Sequence, residues 1–292
     1  MYQRDKRKMR LQPLLIGIFL LQVSICSAEG SLSISKNNAA EKWNWILILE
    51  GEIRYGDSAR VAEFIRAQKS WPSSIMLNDI PGGSVLEALK IADIIEQSLT
   101  PLNVAGICAS ACIYLVVAAN ERRPFDLGVP SSVKIHRPFF SREEFANLPR
   151  REAESLYQQA ENDLRRFLQA RNVPVDLQEL IFSIPSNESL EVSSAEFISR
   201  IGKYHRPFEE WLISKCGDYE MTSDEEADFG RLTNAWIESW DDENSSFDES
   251  PEGRYFNLLT EKSKRHESCK DSALAAERRS TFWEFAFSDL PE

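Results

Sequence analysis

The chain has 292 residues, a hydrophobic content of 42% and a formal net charge of −12, values that allow one sizeable globular domain with an appendage. The acidity lies mostly in the C-terminal third, and no basic patch with interleaved aromatic residues occurs, which excludes nucleic acid as an expected partner. With 3 histidines, none clustered with cysteines, and no phosphate-binding Gly-x-x-x-x-Gly-Lys-Ser/Thr loop, neither a metal nor a cofactor is expected.

The N-terminus carries Arg4, Lys6, Arg7, Lys8 and Arg10, then a mostly apolar run from Leu14 to Cys26, then Ser27-Ala28-Glu29. A basic segment, a short apolar segment and a small residue at the cut point make a signal peptide over residues 1–28, cleaved near Ala28. The apolar run is short for a membrane-spanning helix. A periplasmic or secreted protein with no stable membrane insertion follows, with an uncleaved N-terminal anchor as the alternative. Residues 29–43 read as a polar, flexible lead-in.

The apolar run Ile46–Leu49 predicts a buried strand, Asp57–Lys69 an amphipathic helix, and Ile75–Leu77 a second strand. Val85–Gln97 is a helix apolar on most sides, Leu102–Ile107 a strand, Ala111–Ala119 a nearly all-apolar helix and Val133–Ile135 another strand. Such alternation predicts an α/β domain on a mostly parallel sheet, placed at residues 44–202. A long helix within Glu143–Arg171 carries Ala153, Leu156, Tyr157, Ala160, Leu164, Phe167 and Leu168 on one stripe, and its regular part should begin near Pro149. Ser193–Ile198 opens a helix that ends at Gly202, and residues 203–292 form an acidic, mainly helical region with a mobile loop from Asp241 to Gly253.

Three segments carry chemistry. Pro81-Gly82-Gly83-Ser84-Val85 is a glycine turn between a strand and a helix, Gly106-Ile107-Cys108-Ala109-Ser110-Ala111-Cys112 places a serine among small residues where a helix begins, and Ile135-His136-Arg137-Pro138 ends a strand with a histidine. Acyl transfer needs those parts: backbone amides to hold an oxyanion, a nucleophile, and a base to take its proton. Ser110 is therefore the expected nucleophile, His136 its base, and the amides of Gly83 and Ser84, assisted by Ala111, the oxyanion donors. Ser110 as a mere helix-starting residue, and Gly82 and Gly83 as a turn with no other task, are the plain alternatives.

Together these motifs resemble the proteolytic subunit of the Clp protease and the wider ClpP/crotonase superfamily, over roughly residues 46–202, and look closest to exported, periplasmic ClpP-like proteins. The resemblance implies stacked ββα units, a peptide or protein substrate, and a handle helix at residues 149–171 through which subunits associate. It also implies an aspartate before the closing helix, but alignment on Ser193-Ser194-Ala195-Glu196 puts Ser189 there, flanked by Glu188 and Glu191. Glu188 is the first choice to orient His136, with Glu191 the alternative. The leading reading is an exported serine peptidase. A crotonase-type acyl-CoA enzyme and a catalytically inactive envelope scaffold on the same fold are the competitors. In an oxidising compartment Cys216 and Cys269 should pair around the acidic loop, whereas Cys108 and Cys112 are expected to be small, reduced core residues.

Overall fold

Apolar side chains on alternate residues of Trp45–Glu50 (β2) and Ser74–Ile80 (β3) make one buried sheet face. The computed structural model describes residues 32–38, 45–124, 130–139, 145, 147–217, 221–239 and 247–288. The expected signal peptide with Ala28, and the first part of the acidic loop, lie outside the described residues.

Chain order is β1 (Ser33–Asn38), β2, α1 (Asp57–Gln68), β3, α2 (Val85–Ser98), β4 (Leu102–Ala109), α3 (Cys112–Ala118), β5 (Arg122–Pro124), β6 (Ser132–Ile135), α4 (Arg150–Ala170), α5 (Val175–Ser183), β7 (Leu190–Ser193) and α6 (Ser194–Ile201). One seven-stranded sheet runs β1-β2-β3-β4-β6-β7, with β5 also on β4. The inner strands are parallel, and only the edge strands β1 and β7 are antiparallel to their neighbours. The chain is thus a mixed α/β protein with a mostly parallel sheet. One expectation is corrected: residues 33–38, read as flexible lead-in, are paired along their whole length with β2. Their polar sequence hid this, because an edge strand needs only backbone pairing and one apolar face.

Helix α3 is buried at every position from Cys112 to Ala118, and α2 buries Ala88, Ile91, Ala92, Ile94 and Ile95. Arg122, 1% exposed, links the sheet to the end of this layer. Its guanidinium donates to the carbonyls of Val116, Val117, Ile201, Gly202 and Tyr204, and burial lowers its pKa to about 10. Helix α4 starts after Pro149 as read from the sequence, but buries only Leu164 and Leu168, leaving Leu156 40% exposed.

The chain closes with α7 (Arg206–Cys216), α8 (Ser223–Glu238), a short 3-10 turn at Phe247–Glu249 and the 37-residue α9 (Pro251–Phe287). Pro251, Glu252 and Gly253, read as loop, are the first turn of α9: Ser250 caps it by accepting from the Gly253 amide, and proline is suited to the first helical position. Cys216 and Cys269 are bonded, with Cα atoms 5.8 Å apart, and so staple α7 to α9. Lys270 and Glu121, both 2% exposed, form an ion pair at 3.5 Å between α9 and the core. Among the described residues no helix is long and apolar enough to cross a membrane.

Candidate active site

Strands β3, β4 and β6 are neighbours and parallel, so their C-terminal ends lie along one edge of the sheet. The Gly82-Gly83 turn follows β3, Ser110 follows β4 and His136 follows β6. Register sharpens this placement. Ile80 pairs with Cys108, and Ala109 pairs with Lys134, which sets Ser110 between the glycine turn and the segment carrying His136. Sequence motifs far apart in the chain thus converge because a parallel sheet aligns strand ends.

The glycine turn is held against Ser110 by contact. A Cβ on Gly82 would lie 2.6 Å from the Ser110 Cβ and 3.2 Å from its Oγ. A Cβ on Gly83 would lie 2.0 Å from the Ile53 carbonyl oxygen, so only glycine fits this approach of two backbones. Ile53 donates to the Gly82 carbonyl and accepts from the Ser84 amide, both at 2.8 Å. That bond removes Ser84 from the expected oxyanion donors. Its amide is committed to Ile53, and its side chain caps α2 by accepting from the Glu87 amide. The Gly83 and Ala111 amides make no hydrogen bond among the described residues, which leaves these two as the available donors.

Ser110 has φ of 55°, a left-handed conformation unusual for a residue with a side chain. It forms the sharp turn from strand to helix. Its amide donates to the Lys134 carbonyl at 2.9 Å and its carbonyl accepts from Ile113 at 3.1 Å. Cys108 and Cys112, on either side, are joined by a disulfide with Cα atoms 5.4 Å apart and no exposed surface. This corrects the expectation that both are reduced: the turn at Ser110 folds the end of β4 back on the start of α3 and brings the sulfurs together.

Asp79, which sequence reasoning missed, sets the neighbouring strand. Two residues of β4, Gly106 and Ile107, face this one residue of β3, and the Asp79 carboxylate accepts from the Ile107 amide at 2.9 Å. The side chain replaces a ladder bond that the bulge has broken. Its signal was position: an acidic residue at the end of a strand, directly before Ile80-Pro81-Gly82.

His136 is half-buried, and its Nδ1 lies 2.8 Å from the Arg137 carbonyl oxygen. An Nδ1–H donated there leaves Nε2 as the basic nitrogen. The ring also packs on Phe139, centroid to centroid 5.8 Å. Ser110 and His136 are not hydrogen-bonded to each other in this structure. Neither carboxylate does what was expected of it. Glu188 is exposed, with no bond to His136, and Glu191 lies across the β6–β7 ladder from Lys134, pairing with its ammonium at 3.1 Å. Hydrogen bonding from Ser132 and then Lys134 holds the Glu191 carboxyl below its usual range. The orienting acceptor at His136 is therefore a backbone carbonyl.

No family model matches this sequence, and no curated protein matches it. Among solved structures, the chain is similar to a serine-to-alanine variant of the 1510-N membrane-bound stomatin-specific protease, with a TM-score of 0.38 and 17% identity over 58% of this chain and 83% of that one. It is also similar to a lysine-to-alanine variant of that protease in complex with a substrate peptide, with a TM-score of 0.38 and 18% identity over 59% of this chain and 78% of that one.

Proposed function

We propose that this chain is an exported serine hydrolase of the ClpP-like type, acting on peptide bonds. The observation that carries the reading is Ser110 in a left-handed turn at the end of β4, between the glycine turn after β3 and His136 after β6. Ser110 Oγ attacks the substrate carbonyl while His136 Nε2 takes its proton. The resulting oxyanion accepts hydrogen bonds from the Gly83 and Ala111 amides. Each such donor typically contributes about 3 kcal/mol to lowering the barrier. His136 then returns the proton to the leaving amine, and water hydrolyses the acyl-enzyme by the same groups in reverse roles. The Arg137 carbonyl keeps the imidazole in the required tautomer. The peptide substrate rests on the resemblance of the three motifs to the Clp protease subunit. Export rests on the N-terminal basic and apolar segments, supported by the two paired cysteine couples.

One observation favours a second reading, a non-catalytic envelope scaffold: among the described residues no carboxylate is bonded to His136, and Ser110 is not bonded to it. Labelling of the mature protein with a fluorophosphonate decides between them. The hydrolase labels at Ser110, Ser110→Ala abolishes labelling with the fold intact, and His136→Ala loses nearly as much because the two act as a unit. A wild-type protein inert between about pH 6 and pH 9 leaves the scaffold.

A further inference from the structure

The turn at Ser110 is covalently closed. Cys108 is the penultimate residue of β4, Cys112 is the first of α3, and their bond encloses Ala109, Ser110 and Ala111 in one small ring. Among the described residues the other ties of that turn are hydrogen bonds. Ala109 and Ala111 have only methyl side chains, and the backbone bonds at Ser110 and Ala111 are three: Ser110 donates to the Lys134 carbonyl, and the Ser110 and Ala111 carbonyls accept from Ile113 and Tyr114. A serine with positive φ relaxes toward ordinary backbone geometry unless its surroundings forbid it. Relaxation would turn both Ser110 Oγ and the Ala111 amide away from Gly82 and Gly83.

We propose that the Cys108–Cys112 disulfide is the positioning clamp of the nucleophile, and that its closure switches the site on. The inference rests on the reading of Ser110 as nucleophile. Closure is a thiol–disulfide exchange: the two thiols give up two protons and two electrons as the S–S bond forms. A partner disulfide, of a protein or of glutathione, is cleaved and leaves as two thiols carrying them. Both cysteines are 0% exposed, so the clamp, once closed and folded in, is shielded from reductants. A chain held in a reducing compartment keeps an unlocked turn, and an oxidising compartment completes it. Activity then begins where oxidation does.

The test compares the full chain with Cys108→Ala/Cys112→Ala, with wild type refolded in dithiothreitol, and with Cys216→Ala/Cys269→Ala as the control that removes only the distant staple. Two readouts are taken: the rate of fluorophosphonate labelling, and hydrogen exchange at the Ser110 and Ile113 amides against Ile75 and Leu77 in the core. Loss of the clamp should slow labelling roughly 100-fold, the scale of an ångström-level misplacement. It should speed exchange at Ser110 and Ile113 while leaving Ile75 and Leu77 protected, and the control should label at the wild-type rate. Unchanged labelling and unchanged exchange in the clamp variant overturn the proposal. If wild type does not label, the catalytic reading of Ser110 fails, and the exchange data alone decide whether the bond holds the turn. If neither the double variant nor the reduced chain folds, the bond serves folding in general and the positioning proposal is overturned.

Discussion

Replacing Gly82 by alanine tests the contact on which the site depends. The residue has φ of 110°, and the new methyl would stand 2.6 Å from the Ser110 Cβ and 2.9 Å from the Ala109 carbonyl oxygen. Carbon atoms in contact sit about 3.5–4.0 Å apart, so one of the two backbones has to retreat by about 1 Å. Left-handed backbone costs a residue with a Cβ roughly 1–2 kcal/mol, and overpacking adds roughly 1–3 kcal/mol, giving a stability loss of about 2–5 kcal/mol. The nucleophile moves with its backbone, and an error of that size lowers the rate about 100-fold. Urea unfolding reads the first quantity and fluorophosphonate labelling the second. Gly83→Ala is the useful comparison. Its methyl meets the Ile53 carbonyl oxygen at 2.0 Å and must break the bridge to Ile53, so its stability loss should be the larger. If Gly82→Ala is as stable as wild type and labels as fast, the close approach of turn and serine is wrong.

The Cys216–Cys269 bond closes a span of 53 residues, for which the chain-entropy model gives about 4 kcal/mol. Cys216→Ala/Cys269→Ala should lower the urea midpoint accordingly, and an unchanged midpoint would show the bond idle. Burial, and then the Arg122 guanidinium, hold His205 below its ordinary value of 6.5. The unfolded chain therefore takes up this proton before the folded one does, and stability falls as pH drops through about 6.5. His205→Gln should flatten the fall between about pH 7 and pH 5, and equal slopes would exclude the ring as its source. Helix α4 is proposed as a self-association surface through its exposed Leu156. Leu164, at 3% exposure, belongs to the chain's own core. Leu156→Glu should shift sedimentation toward monomer with little change in stability, and a wild-type monomer at micromolar concentration would end the idea.

Periodicity made the parallel core readable. Runs such as Ile46–Leu49 and the all-apolar α3 fit one kind of environment each, and the structure puts them there. What escaped were features fixed by tertiary partners or by the local path of the backbone. Nothing in Pro81–Val85 announces that the Ser84 amide will be taken by Ile53, because that bridge exists only once β2 and β3 are side by side. The disulfide at Cys108 escaped because spacing alone does not reveal a left-handed residue between two cysteines. Glu188 and Glu191 are candidates only because they flank Ser189, where the resemblance implies an aspartate. Side chains on a strand alternate between faces and pair across the ladder, and this took Glu191 to Lys134.

The last helix also has a bearing on how the molecule is made. Phe282 and Phe285 pack on Trp71, with ring centroids 5.6 and 4.6 Å away, and Trp71 donates to the Thr281 hydroxyl at 3.1 Å. Arg66 donates to the Phe285 carbonyl at 2.9 Å, and Arg278 donates to the carbonyl of Pro72. These contacts join the first helix-and-strand unit to α9, across 206–219 residues. During synthesis the sheet can assemble while Trp71 still lacks its cover, since the residues that shield it follow some 210 residues later. Contacts of such long range close slowly, and until they do the intermediate presents an aromatic surface. Removing the turn that carries Thr281, Phe282 and Phe285 would make that passing state permanent.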